Sequence, residues 1–268
     1  VSIVVDTDDE DYPEKPDPAD IEPEDTVGVD LGILSFTHDT DQLAVNPPDV
    51  TDDVHRTRRC HQRLSRKEHG SANWEDARQD LAKSYETLRR KFKDFREKLA
   101  SDYTQAFDAV FLEDLDVRGL LRLPSNGRNI MLMSWRETIN TFERHGDKNA
   151  CHVITVPPEG TTKRCAYCST EVEKPLWVRE HACPSCGFET DRDQNAAFEV
   201  QQLGLEELGV QYALDELLGL GESDERPAET GLPADTFEWD YHEVSAKTVI
   251  ETGTPLREGG SHGSGDPW

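Results

Sequence analysis

From Thr26 the pattern VGVDLGI, then LSFTH, then a polar DTD, then QLAV alternates as two or three strands joined by a tight turn, so a hairpin opens the globular part. Residues 52–104 are rich in Arg, Lys, Glu, Gln and Leu and hold no proline. They break once, at His69-Gly70-Ser71-Ala72, which predicts two long helices. Residues 109–113, AVFLE, are a short apolar run ending in an acid, as a buried strand does at the edge of a site. LDVRGLL then departs as a loop. In SWRETINTFERH, 134–145, a Ser N-cap with Glu three positions later and apolar Trp135, Ile139 and Phe142 predict a helix. HVITV, 152–156, is the next strand, and DRDQNAAFEVQQLGL begins with an acid cap and runs on through good helix formers. Strands first, then alternating helix and strand, suit an α/β or α+β architecture.

The two ends read differently. SIVV, residues 2–5, is one short strand, but the DTDDEDYPEKPDPADIEPED after it is too acidic and proline-rich to pack, so residues 1–25 read as a linker. From about residue 221, Gly, Pro, Ser and acids without periodicity predict a mostly disordered tail, with EVSAKTVIE as a short strand or docking segment. No internal repeat is evident. The chain has no apolar run long enough to cross a bilayer, and its first residues lack the basic-then-apolar order of a signal peptide, which places it in the cytoplasm.

Charge complicates this picture. The 268 residues carry a formal net charge of −26, the wrong sign for a protein that holds phosphates. An acidic surface is one way to stay soluble in very high salt, where screening also removes most of the repulsion from a polyanion. The expectation is a halophilic source. The charge is also uneven: residues 1–25 hold eleven acids against Lys15 alone, whereas residues 56–98 hold fourteen Lys or Arg against seven acids. That basic stretch is either a solvated helical hairpin or a nucleic-acid face.

Six cysteines are present, and four form two CxxC pairs, CAYC and CPSCG, with fourteen residues between them. Two such knuckles place the thiolates of Cys165, Cys168, Cys183 and Cys186 at the corners of a tetrahedron, the closed shell that structural Zn²⁺ prefers. A redox role lacks a thioredoxin-like strand and helix around either pair. His181 is expected at the surface rather than as a fifth ligand, and Cys60 and Cys151 read as ordinary free thiols.

Three carboxylates stand apart. Asp30 sits inside the apolar VGVDLGI, Glu113 ends AVFLE, and Asp193 follows the cysteine segment at the start of a helix. An isolated ionised carboxylate is too costly to bury, so Asp30 needs a cation or metal against it. Three acids on separate elements are a recurring way to hold two Mg²⁺ or Mn²⁺ ions, although each acid alone is as well explained as a turn residue or a cap.

The block GVDLGI, the block FLEDLDVRGLL, and TTKRCAYC through CPSCGFETDRDQNAAFEV together resemble the TnpB family, the OrfB-type proteins of insertion sequences, over about residues 26–205. The resemblance implies a RuvC-type RNase H-like fold: a mixed sheet with flanking helices as residues 26–160 and 191–220, and an inserted four-cysteine zinc ribbon as 161–190. It implies Asp30, Glu113 and Asp193 as ligands of catalytic Mg²⁺ or Mn²⁺, with Asp191 capping the helix instead. DNA is the implied substrate and a guide RNA the implied partner, and no membrane is involved. Two departures follow. Ser169 stands where a glycine often follows the second cysteine, and the family's amino-terminal nucleic-acid-gripping region is expected to be largely missing, with SIVV its last strand. The implied function is therefore an RNA-guided-type, metal-dependent DNA endonuclease core. The alternative is a catalytically silent zinc-ribbon protein that binds nucleic acid.

Overall fold

The computed structural model describes residues 12–32, 35–115, 134–158, 160–161, 163–174 and 178–219. Five strands make one mixed sheet. Its first three are β1 (Thr26–Leu31), β2 (Thr37–Asp39) and β3 (Ala44–Val45); its last two are β4 (Ala109–Glu113) and β5 (His152–Val156). Their order is β3-β2-β1-β4-β5, antiparallel through β3-β2-β1 and parallel through β1-β4-β5. The parallel pairings need crossovers. The first is made by α1 (Thr51–Ser65) and α2 (Ala72–Ala106), and α3 (Trp135–Asn149) lies between β4 and β5. A second, two-stranded sheet pairs β6 (Glu180–Ala182) with β7 (Glu189–Asp191), after which α4 (Arg192–Leu208) and the short α5 (Leu214–Leu217) close the described fold. The mixed sheet with flanking helices and an inserted four-cysteine unit meets the RNase H-like expectation.

Side-chain parity sorts the sheet into two faces. Val27, Val29 and Leu31 of β1 and Val110 and Leu112 of β4 point to α2 and α3, where they join Phe92, Phe95, Leu99, Tyr103, Ile139 and Phe142 in one buried cluster. Each such side chain contributes roughly 1.5–3 kcal/mol of burial. The alternate positions, Ala109 and Phe111, instead join Val200 and Leu205 of α4 in a second cluster. Both faces of β1 and β4 are therefore covered, which is why these strands read as nearly continuous apolar runs.

The helix break expected at His69–Ala72 is where α1 and α2 part, with Ser71 capping α2 by accepting from the Trp74 amide at 3.1 Å. On α2, Phe92, Phe95, Leu99 and Tyr103 face the sheet, and Leu81 and Leu88 are buried nearer the helix break. Nearer the break, Ala77 is buried and an exposed ion pair joins Arg63 to Asp80 at 2.8 Å.

Three expectations change. Residues 12–25, read as a linker too acidic to pack, lie against the fold. Asp17 caps a 3₁₀ turn (Pro18–Asp20) and Ile21 enters the α4-side cluster. Nearby, Lys15 pairs with Asp147 at 2.9 Å and the Pro16 carbonyl with His152 at 2.9 Å. A single buried isoleucine and backbone pairing outweigh the local charge. Ser134 does not cap α3 with its side chain; its backbone is left-handed, at φ 47°, and α3 runs on to Asn149. His181 is fully buried rather than at the surface. SIVV, most of LDVRGLL and the tail from residue 221 lie outside the described residues.

Candidate functional site

Register brings Asp30 and Glu113 together. In the parallel β1–β4 pairing Val29 lies opposite Leu112, so Asp30 and Glu113 are the next positions on adjacent strands and share one face. That face belongs to α4. Gly28, two residues before Asp30, lets α4 approach so closely that an added Cβ would fall 2.2 Å from the Ala197 carbonyl oxygen. Gly204 does the same over the Phe111 ring. With α4 pinned there, Asp193 in its first turn comes close enough to Asp30 for its charge to be felt there.

The carboxylates of the site outweigh the nearby cations, since the Arg179 and Arg192 charges only partly offset the rise at Asp30. Asp30 is 7% exposed, and among the described residues no hydrogen bond or ion pair reaches its carboxylate. Burial first, then the Glu113 and Asp193 charges, hold its carboxyl well above the ordinary carboxylate range. Burial pushes Glu113 up to about 7, although the Thr161 hydroxyl, itself fully buried, donates to its Oε1. Asp193 is paired with the Arg179 guanidinium. Buried carboxylates of like charge are stable together only when protonated or when a cation joins them. This donor set fits a divalent ion. The three acids do not form a single cage, since among the described residues the four thiols are the one group of such ligands within 4.8 Å of one another. Ligands spread over three elements suit more than one ion.

The cysteines form that tighter group. Cys165 lies 3.7 Å from Cys186 and Cys168 lies 3.6 Å from Cys183, sulfur to sulfur, and all four are free thiols able to hold a metal ion. The knuckles are built alike: the Ser169 amide donates to Cys165 O at 2.8 Å and the Gly187 amide to Cys183 O at 3.0 Å. Ser169 and Gly187 both take the left-handed conformation, at φ 55° and 79°, which glycine adopts freely and serine does not. Thr170 draws the Cys168 thiol down to about 6.

Helix α4 joins the two centres. Asn195 accepts from the Ala166 amide at 3.0 Å and donates to the Arg164 carbonyl at 2.7 Å, while Arg164 pairs with buried Glu199 at 3.0 Å. On its other side Gln201 donates to Thr26 O at 2.9 Å and Gln194 to Thr40 O at 2.8 Å. The run DRDQNAAFEVQQ is thus a two-sided splice between ribbon and sheet. Asp191 caps it by accepting from the Asp193 amide at 2.8 Å, as expected.

Sequence reasoning missed Arg179 and Thr161. Arg179 had no motif; only its place two residues before His181, in the ribbon's second half, hinted at a return toward the carboxylates. Thr161 stands in TTKRC, just ahead of the first knuckle, and reaches Glu113 only through the fold.

Two family models match the chain: OrfB_IS605, described as "Probable transposase", over residues 2–123, and the Cas12f1-like TNB domain over residues 135–200. The first spans Asp30 and Glu113, the second all four cysteines and Asp193. A "Putative RNA-guided DNA endonuclease" of Streptomyces pristinaespiralis is 33% identical over 182 residues, 67% of this chain and 45% of that protein. TnpB-like protein L79 of Acanthamoeba polyphaga mimivirus is 26% identical over 131 residues, 47% of this chain and 25% of that protein. The chain therefore spans less than half the length of either relative. Among solved structures, a Cas12f1–sgRNA–target DNA complex matches 70% of this chain and 51% of its own with a TM-score of 0.49 and 19% identity.

Proposed function

The chain belongs to the OrfB (TnpB) family of insertion-sequence proteins, and from that premise we propose that it is the core of a transposon-associated, RNA-guided-type DNA endonuclease using Asp30, Glu113 and Asp193. The observation that carries the reading is the convergence of an unpartnered buried Asp30, its neighbour Glu113 and the first turn of α4 on one side of the sheet. Asp30 and Glu113 would hold Mg²⁺ or Mn²⁺ from the strand ends, and Asp193 would complete the set from the helix. Bound there, the ions would supply an activated water and charge stabilisation at the scissile phosphate. Thr161 fixes the Glu113 carboxylate in place. Arg179 pairs with Asp193 and offsets its charge. Zn²⁺ on Cys165, Cys168, Cys183 and Cys186 would hold the ribbon that carries Arg179. A guide RNA is the proposed partner. Among the described residues no helix is long and apolar enough to cross a membrane.

The net charge of −26 supports a halophilic source. The test therefore incubates the chain with single- and double-stranded DNA in Mg²⁺ or Mn²⁺, in dilute buffer and at molar potassium chloride. Metal-dependent cleavage, stronger at high salt and lost in Asp30→Ala and in Glu113→Ala, is the expected result. Cleavage that survives both substitutions rules out the carboxylate site, and cleavage best in dilute buffer rules out the halophilic reading.

A further inference from the structure

One side chain on the α4 face has no role in the site so far. His38 of β2 is the register partner of Asp30 in the antiparallel β1–β2 pairing. Directly opposed residues point to the same face with their Cβ atoms about 5 Å apart. The neighbours agree: Asp39, the next residue, faces α2 and accepts from the Tyr103 hydroxyl at 2.6 Å, so His38 faces the opposite way, toward α4. Asp30 is thus flanked by Glu113 on β4 and by His38 on β2.

His38 is half-buried, its Nδ1 is buried, and among the described residues the imidazole makes no hydrogen bond. A buried ring nitrogen without a partner is costly. Beside it stands a buried carboxylate equally without one. Two orphaned donors, one nitrogen and one oxygen, side by side on adjacent strands are a common answer to the needs of one ion.

We propose that His38 supplies a nitrogen ligand to the divalent ion held by Asp30, and so biases this site toward Mn²⁺ over Mg²⁺. Mg²⁺ takes oxygen ligands and holds its waters, whereas imidazole suits the transition metals. The inference rests on the carboxylate site proposed above.

The test uses the full zinc-loaded chain, free of any histidine tag, with Mn²⁺ alone and Mg²⁺ alone as probes. Pulsed electron paramagnetic resonance of the manganese-bound protein is expected to show nitrogen modulation from a coordinated imidazole. In His38→Gln and His38→Asn that modulation disappears, Mn²⁺ binding weakens about tenfold, and Mg²⁺ binding changes less than about twofold. Zinc content and circular dichroism report whether the variants fold. Bound Mn²⁺ without nitrogen modulation in the unsubstituted chain overturns the proposal and needs no variant. Persistence of the modulation in both variants also overturns it. Asp30→Asn separates the two failures: if it binds Mn²⁺ as tightly as the unsubstituted chain, the carboxylate site itself is wrong and the ligand role falls with it.

Discussion

On the sheet, apolar side chains from Val27 through Phe142 meet in one continuous cluster, and a second runs under α4; in the ribbon, the buried apolar cluster is Ala166, Phe198 and Leu218, and two of those three come from beyond the cysteines. The sheet can hold itself together by burial alone. The ribbon cannot, because its two knuckles and one three-residue hairpin bury too little surface, and what organises them is four sulfurs facing one point. The proposed site straddles this boundary. Asp30 and Glu113 stand on the self-sufficient side, Arg179 and Thr161 on or beside the cysteine side, and α4 with Asp193 ties the halves together.

Removing the zinc proposed for the ribbon should break the comparison most sharply. Structural zinc contributes on the order of 10 kcal/mol to the folding of such units. In Cys183→Ser, or after chelation, amide exchange is expected to rise across residues 163–191 while β1, β4 and β5 stay protected. Equal loss of protection in the sheet would show that the two parts fold as one.

Gly28→Ala attacks the splice from the sheet side. The new methyl would meet the Ala197 carbonyl oxygen and Gln201, so α4 must shift off β1. Denaturant titration should show a loss of about 3 kcal/mol.

Acidity separates the halves differently. Burial pushes Asp39 up to about 6, above its usual 3.8, so the folded chain binds the extra proton between about pH 4 and 6. Folding stability is therefore greatest below that window and falls as pH rises through it. Asp39→Asn should flatten the fall by on the order of 2 kcal/mol, read from unfolding at pH 4 and pH 6.5. Glu113, pushed up to about 7, has the same sign over a window reaching that pH. A divalent ion competes with that proton, so the rise in melting temperature on adding Mg²⁺ or Mn²⁺ should grow from pH 6 to pH 8.

Asn195→Ala removes two hydrogen bonds between α4 and the first knuckle. The expected cost is about 2 kcal/mol, seen as faster exchange in the ribbon with the sheet unchanged. The smallest effect runs the other way. Ser169→Gly relieves a left-handed serine and should stabilise the zinc-bound ribbon by about 1 kcal/mol, measured by competition with a chelator. An unchanged affinity would mean the first knuckle tolerates serine without strain.

Much of this was legible in the linear chain. The strands VGVDLGI, AVFLE and HVITV, the break before α2 at Ser71, and the paired CxxC motifs are local signals, written in periods of two and 3.6 residues and in cysteine spacing. Helix α4 was legible as a helix but not as a splice. It buries Asn195, Glu199 and Gln201, which ordinary amphipathic reasoning assigns to solvent.

The sequence by itself determined that there would be strands ending in acids, a long charged hairpin and a four-thiol ribbon, because propensity, periodicity and ligand spacing act over a few residues. Only the tertiary structure decided that Asp30, Glu113 and His38 share a face, that Gly28 is the seat of α4, and that Arg179 reaches Asp193. It also decided that Ile21 draws an acidic segment onto the core. Those outcomes depend on strand register and on contacts such as Gln201 to Thr26, 175 residues apart. A one-position register shift of β1, β2 or β4 would turn Asp30, His38 or Glu113, respectively, to the other face.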